Sequence, residues 1–245
     1  CLFHICLLSM KFTCIIPAAG KGTRFGNDIP KQFTMVNGKL IVEHALCSLF
    51  QGFQSCGIKQ VCFVIACDLE YEQVIQEICN QFLPNDSFAI VRGGQTRQES
   101  IRNAITHKLT QDSDVLCIHD AARPFIPKSV FYQLIQGIYE HDCIIPALDI
   151  ADTLKEVNEG RIVKTIDRMN FKLAQTPQLF RASMYTKALD SIDASFQFTD
   201  DSSLMEYHGY SVHVITGSEL MRKVTFPYDL KLTELLAKLF EDDHA

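Results

Sequence analysis

Short apolar runs alternate along the chain with longer stretches in which apolar residues return every three or four positions. Residues 12–16, 61–66, 88–91, 115–119 and 143–147 are runs of β-branched and other apolar side chains. Runs of that kind predict strands buried on both faces of a parallel sheet. Between them, residues 41–50, 70–82, 97–109 and 129–140 carry helical periodicity. Strand–helix alternation implies right-handed βαβ units and a parallel sheet. In such sheets a ligand lies beyond the carboxyl ends of the strands, so the residues just after each strand are where chemistry is expected.

Residues 148–176 break the alternation. The segments 153–157 and 161–166 alternate polar with apolar around Asn158-Glu159-Gly160, which has hairpin-turn chemistry. A lone two-stranded hairpin is marginal in water, so this arm is expected to pack on something else, a partner subunit being one candidate. The chain returns with helices at 182–189 and 201–208, a strand at 211–215 and a closing helix at 228–240. The predicted fold class is α/β: a Rossmann-like, predominantly parallel sheet flanked by helices, with a protruding β-hairpin arm at about 148–176. No repeat or linker interrupts residues 10–245, which are expected to form one domain. Residues 1–9 are mostly apolar and precede Met10, but they lack a basic leader and a cleavage site. They read as an upstream extension, too short to span a bilayer. No later segment has 18 unbroken apolar residues, so no membrane span is expected.

Composition narrows the partners. Apolar residues make up 47% of the 245, enough for a real core. The net charge is -6 and no basic stripe is visible, which argues against a nucleic-acid partner. Ten cysteines are scattered without a Cys-x-x-Cys pair. Cys14, Cys62, Cys117 and Cys143 sit in apolar runs and read as small buried hydrophobes of a reduced, cytoplasmic protein. The histidines show no zinc-ligand spacing.

The first strand runs into Pro17-Ala18-Ala19-Gly20-Lys21-Gly22-Thr23-Arg24, and Pro30-Lys31-Gln32 follows. Small residues let the backbone approach a ligand, and its amides can cradle phosphate oxygens. Arg24 and Lys31 add cations of the kind phosphoryl-type transfer needs. The loop lacks the Gly-Lys-Ser/Thr of a Walker motif. Phe25 stands at the third glycine position of a dinucleotide fingerprint. An ordinary tight turn explains the glycines alone, but not the basic residues. Gly93-Gly94-Gln95 follows the third strand and opens a helix, where backbone groups and Ser100 could read a base edge or simply cap the helix. Asp120 closes a strand at the expected ligand edge. It could meet a triphosphate through Mg²⁺, bind substrate hydroxyls or cap the next segment. Arg123 could hold a phosphate or pair with Asp120.

These motifs resemble the nucleotidyltransferases that activate sugar and polyol phosphates. The Ala-Ala-Gly and Pro-Lys-Gln versions resemble the 2-C-methyl-D-erythritol 4-phosphate cytidylyltransferase family. Gly93-Gly94-x-x-Arg97-x-x-Ser100, His119-Asp120-Ala121-Ala122-Arg123-Pro124, Asp167-Arg168 with Thr176-Pro177-Gln178, and Lys223-Val224-Thr225 are similar to further family stretches, in order. The resemblance implies that residues 17–31 handle the CTP triphosphate, with Pro17, Ala18, Ala19, Gly20 and Gly22 at the nucleotide and Arg24 and Lys31 catalytic. It implies that Gly94, Gln95, Ser100 and Ala121 contact the nucleotide. Asp120, Arg123, Thr153, Arg168, Thr176 and Lys223 would contact the polyol phosphate, with Thr153 and Arg168 donated across a homodimer interface. Mg²⁺ at Asp120 is the expected cofactor. One departure stands out: Met221 occupies the position two before Lys223, where the family usually has Asn. The stretch Thr199-Asp200-Asp201-Ser202 also fits a family position, but reads most simply as a helix N-terminus.

The implied reaction is attack of a substrate phosphate oxygen on the α-phosphorus of CTP, with pyrophosphate leaving. A phosphate monoester is largely dianionic at pH 7, so no general base is needed. Three other readings are open at this stage: a cytidylyltransferase for another polyol phosphate such as ribitol 5-phosphate, a nicotinamide-dependent oxidoreductase, and a non-catalytic nucleotide-binding module.

Overall fold

A computed structural model describes residues 9–20, 25, 29–193 and 196–244. Its main sheet is built on β1 (Phe12–Pro17), flanked by β4 (Val61–Cys67) and β6 (Val115–Ile118), both parallel to it. β5 (Phe88–Arg92) extends the sheet beyond β4. A minor hairpin, β2 (Met35–Val36) with β3 (Lys39–Leu40), lies between β1 and the first long helix.

Alternation along β1 shows why the strand is apolar on both faces. Phe12, Cys14 and Ile16 enter one core cluster with Leu46, Phe53, Ile75 and Phe131. Ile15 points the other way, to Val64, Leu116, Ile101 and Tyr185. Helices Ile41–Ser55, Glu72–Phe82 and Lys128–Glu140 thus cover one face, while Arg97–Ile105, Ala182–Asp190 and Asp201–Tyr207 cover the other.

The far side of the sheet departs from the simple alternation. β7 (Cys143–Asp149) does not pair with β6; β11 (Gln178–Arg181) lies between them, antiparallel to both. β10 (Lys172–Ala174) continues along the same edge of β7, and β12 (His213–Thr216) pairs with its other edge in parallel. The apolar runs did not announce β10 and β11, because both are short and flanked or bounded by polar residues such as Lys172, Gln178 and Arg181. The expected helix over 97–109 is two helices, broken where His107 turns extended and caps Lys108–Gln111 through its Nδ1. β5 is half-buried rather than buried, since it ends the sheet.

The arm forms as expected. β8 (Lys155–Asn158) and β9 (Arg161–Thr165) pair antiparallel, with Glu159 and Gly160 at positive φ as a two-residue turn requires. Every residue of both strands is exposed, including Val157, Ile162 and Val163. The closing helix Asp229–His244 and a small cluster of Phe25, Val36, Ile41 and Val224 pack near the start of the chain's first long helix.

The chain moves outward from β1 to β4 and β5, then crosses to β6 on the other side of β1. That reversal opens a crevice past the carboxyl ends of β1 and β6.

Candidate active site

A cavity of about 870 Å³ fills this crevice. Pro17, Ala19 and Gly20, from the end of β1, line one wall with Lys31 and Gln32. Gln32 explains the shape of this wall. Its buried side-chain amide donates to the carbonyls of Ala18 (2.5 Å) and Gly20 (2.9 Å). Those carbonyls are thereby turned toward Gln32. Gln32 carries this positioning task alongside Lys31, although the sequence reading assigned it none. Ala18 does not face the cavity: it packs in the core, and its N–H donates to Ala66 O. The expected Gly22 and Arg24 lie outside the described residues.

The opposite wall is the segment 93–100. Gly93 and Gly94 have no room for a side chain. A Cβ on Gly93 would fall 2.1 Å from Ala19 Cβ, and one on Gly94 would fall 2.2 Å from Glu99 Cβ. The Gly93 backbone therefore packs directly on the Ala19 methyl, and the Gly94 backbone on Glu99 of its own segment. Gly94 N–H donates to Ser100 Oγ (3.0 Å), and that hydroxyl donates on to Thr96 O (3.0 Å). Gln95 N–H donates to Glu99 Oε2 (2.6 Å), part of a capping box closed by Thr96. Ser100 borders the cavity but is buried, so its hydroxyl shapes the loop that Gly94 and Gln95 present.

Asp120, two residues past β6, is the electrostatic centre. Its carboxylate is met by Lys223 Nζ at 2.8 Å, Arg97 Nε at 3.2 Å and Arg123 Nε at 3.5 Å. Burial pushes its pKa up, but Arg97, Lys223 and Arg123 more than reverse this and hold it well below the usual carboxylate range. Arg123 also donates to Met221 O at 2.8 Å. Met221 itself is fully buried in the main core, so the segment before Lys223 is anchored by packing and by its carbonyl. Ala121 and Ala122 line the same cavity at the end of this strand.

Thr176 and His119 fix the Asp120 backbone. His119 Nε2 lies 2.9 Å from Arg123 O; because a carbonyl only accepts, Nε2 carries the proton. Nδ1 then accepts from the Thr176 hydroxyl (3.0 Å), whose oxygen accepts from Asp120 N–H (3.0 Å). Burial lowers the His119 pKa to about 4, keeping the ring neutral. Thr176 lines a second cavity, of about 450 Å³, with its hydroxyl already committed to these partners. Arg97, Asp120 and Lys223 line both cavities and form their shared wall.

In the sequence Arg97 is one letter of the Gly93–Ser100 motif and carries no assigned role. A sharper signal was available: it is the first residue of its helix, where the helix dipole disfavours a cation. Its position there is supported by Asp201, 2.6 Å from Nη2, and by Asp120.

Thr153 and Arg168 are exposed and line neither cavity; Arg168 donates to Ala151 O at the base of the arm. Within one chain the structure brings together Pro17, Ala19, Gly20, Lys31, Gly94, Gln95, Ser100, Asp120, Ala121, Arg123, Thr176 and Lys223, but not these two.

Mg²⁺ takes one or two carboxylates with phosphate oxygens and water. Among the described residues, no group of three or more His, Cys, Asp or Glu side chains converges on a metal position. Asp120 is the carboxylate at the junction of the cavities, and cations already face both its oxygens. With both oxygens engaged, this donor set fits only an ion carried by triphosphate oxygens, which Asp120 would meet by giving up one of its cations. It does not fit a protein-built cage.

A family model described as 2-C-methyl-D-erythritol 4-phosphate cytidylyltransferase matches residues 12–238. The protein of that name from Bacillus cereus is 35% identical over 224 residues, covering 91% of this chain and 96% of the relative. The one from Geotalea uraniireducens is 35% identical over 231 residues, covering 94% and 97%. The crystal structure of 2-C-methyl-D-erythritol 4-phosphate cytidylyltransferase from Francisella tularensis is similar with a TM-score of 0.73 and 29% identity, covering 92% of this chain and 99% of that one.

Proposed function

The chain belongs to the 2-C-methyl-D-erythritol 4-phosphate cytidylyltransferase family, and from that premise we propose how its residues divide the work. It is a nucleotidyltransferase that moves CMP from CTP to 2-C-methyl-D-erythritol 4-phosphate and releases pyrophosphate, in non-mevalonate isoprenoid precursor synthesis. The observation that carries the division is the shared wall. One large cavity bounded by the 17–20 and 93–100 loops meets a smaller one at Arg97, Asp120 and Lys223.

CTP occupies the larger cavity. Its base lies against Gly94, Gln95 and Ser100, and its triphosphate against Pro17, Ala19 and Gly20. Gly22 and Arg24 complete that loop. Lys31 and Arg24 neutralise charge as pyrophosphate departs. The polyol phosphate enters from the smaller cavity, where Arg123, Thr176 and Lys223 border Asp120. A phosphate oxygen forms a bond to the α-phosphorus while the bond to the pyrophosphate oxygen breaks. No proton needs removing from a dianionic phosphate. Mg²⁺, when bound, would supply charge neutralisation for the triphosphate, and Asp120 is the residue that would hold it to the protein.

Thr153 and Arg168 grip the acceptor phosphate from a second subunit. The reading rests on the exposed apolar side chains Val157, Ile162 and Val163 of the arm and on an arginine fork suited to a phosphate dianion. The enzyme is then a homodimer. A cytoplasmic place accords with the scattered cysteines, and no helix among the described residues is long and apolar enough to cross a membrane.

Pyrophosphate release, measured with CTP and a panel of polyol phosphates, tests the substrate. Release with methylerythritol phosphate supports the reading. Release with ribitol 5-phosphate alone overturns it.

A further inference from the structure

The segment Thr199-Asp200-Asp201-Ser202 holds two adjacent carboxylates with different tasks. Asp200 is the N-cap of the helix Asp201–Tyr207, accepting from Ser203 N–H at 3.0 Å. Asp201 is thereby relieved of capping. It turns inward, 3% exposed, and each of its oxygens has a partner. Oδ2 meets Arg97 Nη2 at 2.6 Å, and Oδ1 accepts from the Tyr185 hydroxyl at 2.6 Å. Tyr185 is 1% exposed and belongs to the core under β1 and β6. The same guanidinium donates through Nε to Asp120 Oδ1 at 3.2 Å.

We propose that Asp201, backed by Tyr185, is a positioning residue for the transfer: it anchors the Arg97 guanidinium against Asp120 at the junction of the two cavities. Arg97, like Asp120 and Lys223, borders both cavities and so lies within reach of both reactants; Asp201 acts through it. The anchor is needed because Arg97 opens its helix, where the dipole repels a cation. Without a fixed carboxylate behind it, the long side chain has a solvent-facing alternative. A planar fork can satisfy two carboxylates at once, which an ammonium cannot do in the same geometry. The Tyr185 hydroxyl fixes the Asp201 carboxylate in turn, tying the reacting wall to the core.

The inference rests on the cytidylyl-transfer reading, and the test separates the two. Asp201→Asn is expected to lower kcat by roughly tenfold while KM for CTP stays within about twofold, the pattern of an interaction used in the transition state. Tyr185→Phe is expected to lower kcat by about threefold, with the fold kept because only a hydroxyl is lost. In an Arg97→Ala background, each substitution is expected to add little further loss, because residues acting through one group are not additive. Unchanged kcat in both single variants, or an undiminished loss in the Arg97→Ala background, overturns the proposal. Should Asp201→Asn fail to fold, the Tyr185→Phe cycle decides by the same criteria. Exchange of the Arg97 Nε–H, followed by NMR in the full-length protein, needs no activity. Faster exchange in Tyr185→Phe than in wild type supports the anchor, and equal exchange overturns it. A wild-type enzyme that transfers nothing sinks the functional reading, and the exchange measurement then decides the anchor by itself.

Discussion

The Asp120 cluster and the hairpin arm are opposite ways of building a site. Around Asp120, Arg97, Arg123 and Lys223 meet a buried carboxylate, and His119, Thr176, Asp201 and Met221 hold those groups in turn. That half is completed within one chain. The arm has two short strands, all exposed, with Val157, Ile162 and Val163 presented to solvent and Arg168 at its base. The first region is pre-organised by packing. The second has chemistry to offer only if another surface is brought to it. The contrast teaches that the fixed charge of the cavities and the exposed surface of the arm come from different sources of order, packing within one chain for the first and contact with another surface for the second.

The largest effect that could break this division concerns the nucleotide half. Lys31→Ala is expected to lower turnover by roughly 10²–10³, similar to losing one preorganised donor. Unchanged pyrophosphate release by the variant would remove Lys31 from catalysis and leave the charge of the leaving pyrophosphate to Arg24 alone of the two assigned cations.

The next effect tests how rigidly the Asp120 side is built. His119 is buried neutral, with its pKa lowered to about 4 from 6.5. Below pH 6.5 the unfolded chain takes up a proton that the folded ring refuses. Stability therefore falls as pH drops from 6.5 toward 4, by about 3 kcal/mol from this group. Asp120 does not contribute in that window. Its folded pKa is depressed, so its stabilisation is lost only as pH falls through that lower value. Chemical denaturation of wild type and His119→Asn at pH 7, 5.5 and 4 checks this. Parallel declines of the two proteins would contradict the assignment.

The smallest of the three sharpens the arm. Arg168→Ala is expected to raise KM for the polyol phosphate by roughly tenfold, the value of about one charge-assisted hydrogen bond. KM for CTP should not move. An equal rise in both would place Arg168 with the nucleotide instead.

These two regions also differed in how well the sequence disclosed them. The parallel strands, most helices and the arm followed from apolar runs and from Asn158-Glu159-Gly160. Local patterns specify such elements without reference to the rest of the chain. β10 and β11 did not emerge, because their pairing with β7 is decided by tertiary neighbours and their few residues show no distinctive period. Within the site, the residue types after the strands pointed to Lys31, Gly94 and Asp120, and these do share a cavity. The supporting residues were harder. Gln32, Met221 and Asp201 act by contacts to residues 12 or more positions away, so no spacing rule reveals them. Ala18 shows the converse, a motif residue whose side chain serves the core.

Subunit mixing tests the division of labour most directly. Homodimers of Lys31→Ala and of Arg168→Ala are each assayed at low polyol phosphate, then dissociated together and reassembled. If Arg168 serves the partner's cavity, half of the reassembled dimers contain one intact site of two. Activity should then rise to about one quarter of wild type, as a two-fold symmetric dimer requires. A mixture no more active than the two variants measured apart would contradict the claim that the arm of one chain adds its Arg168 to the acceptor cavity of the other.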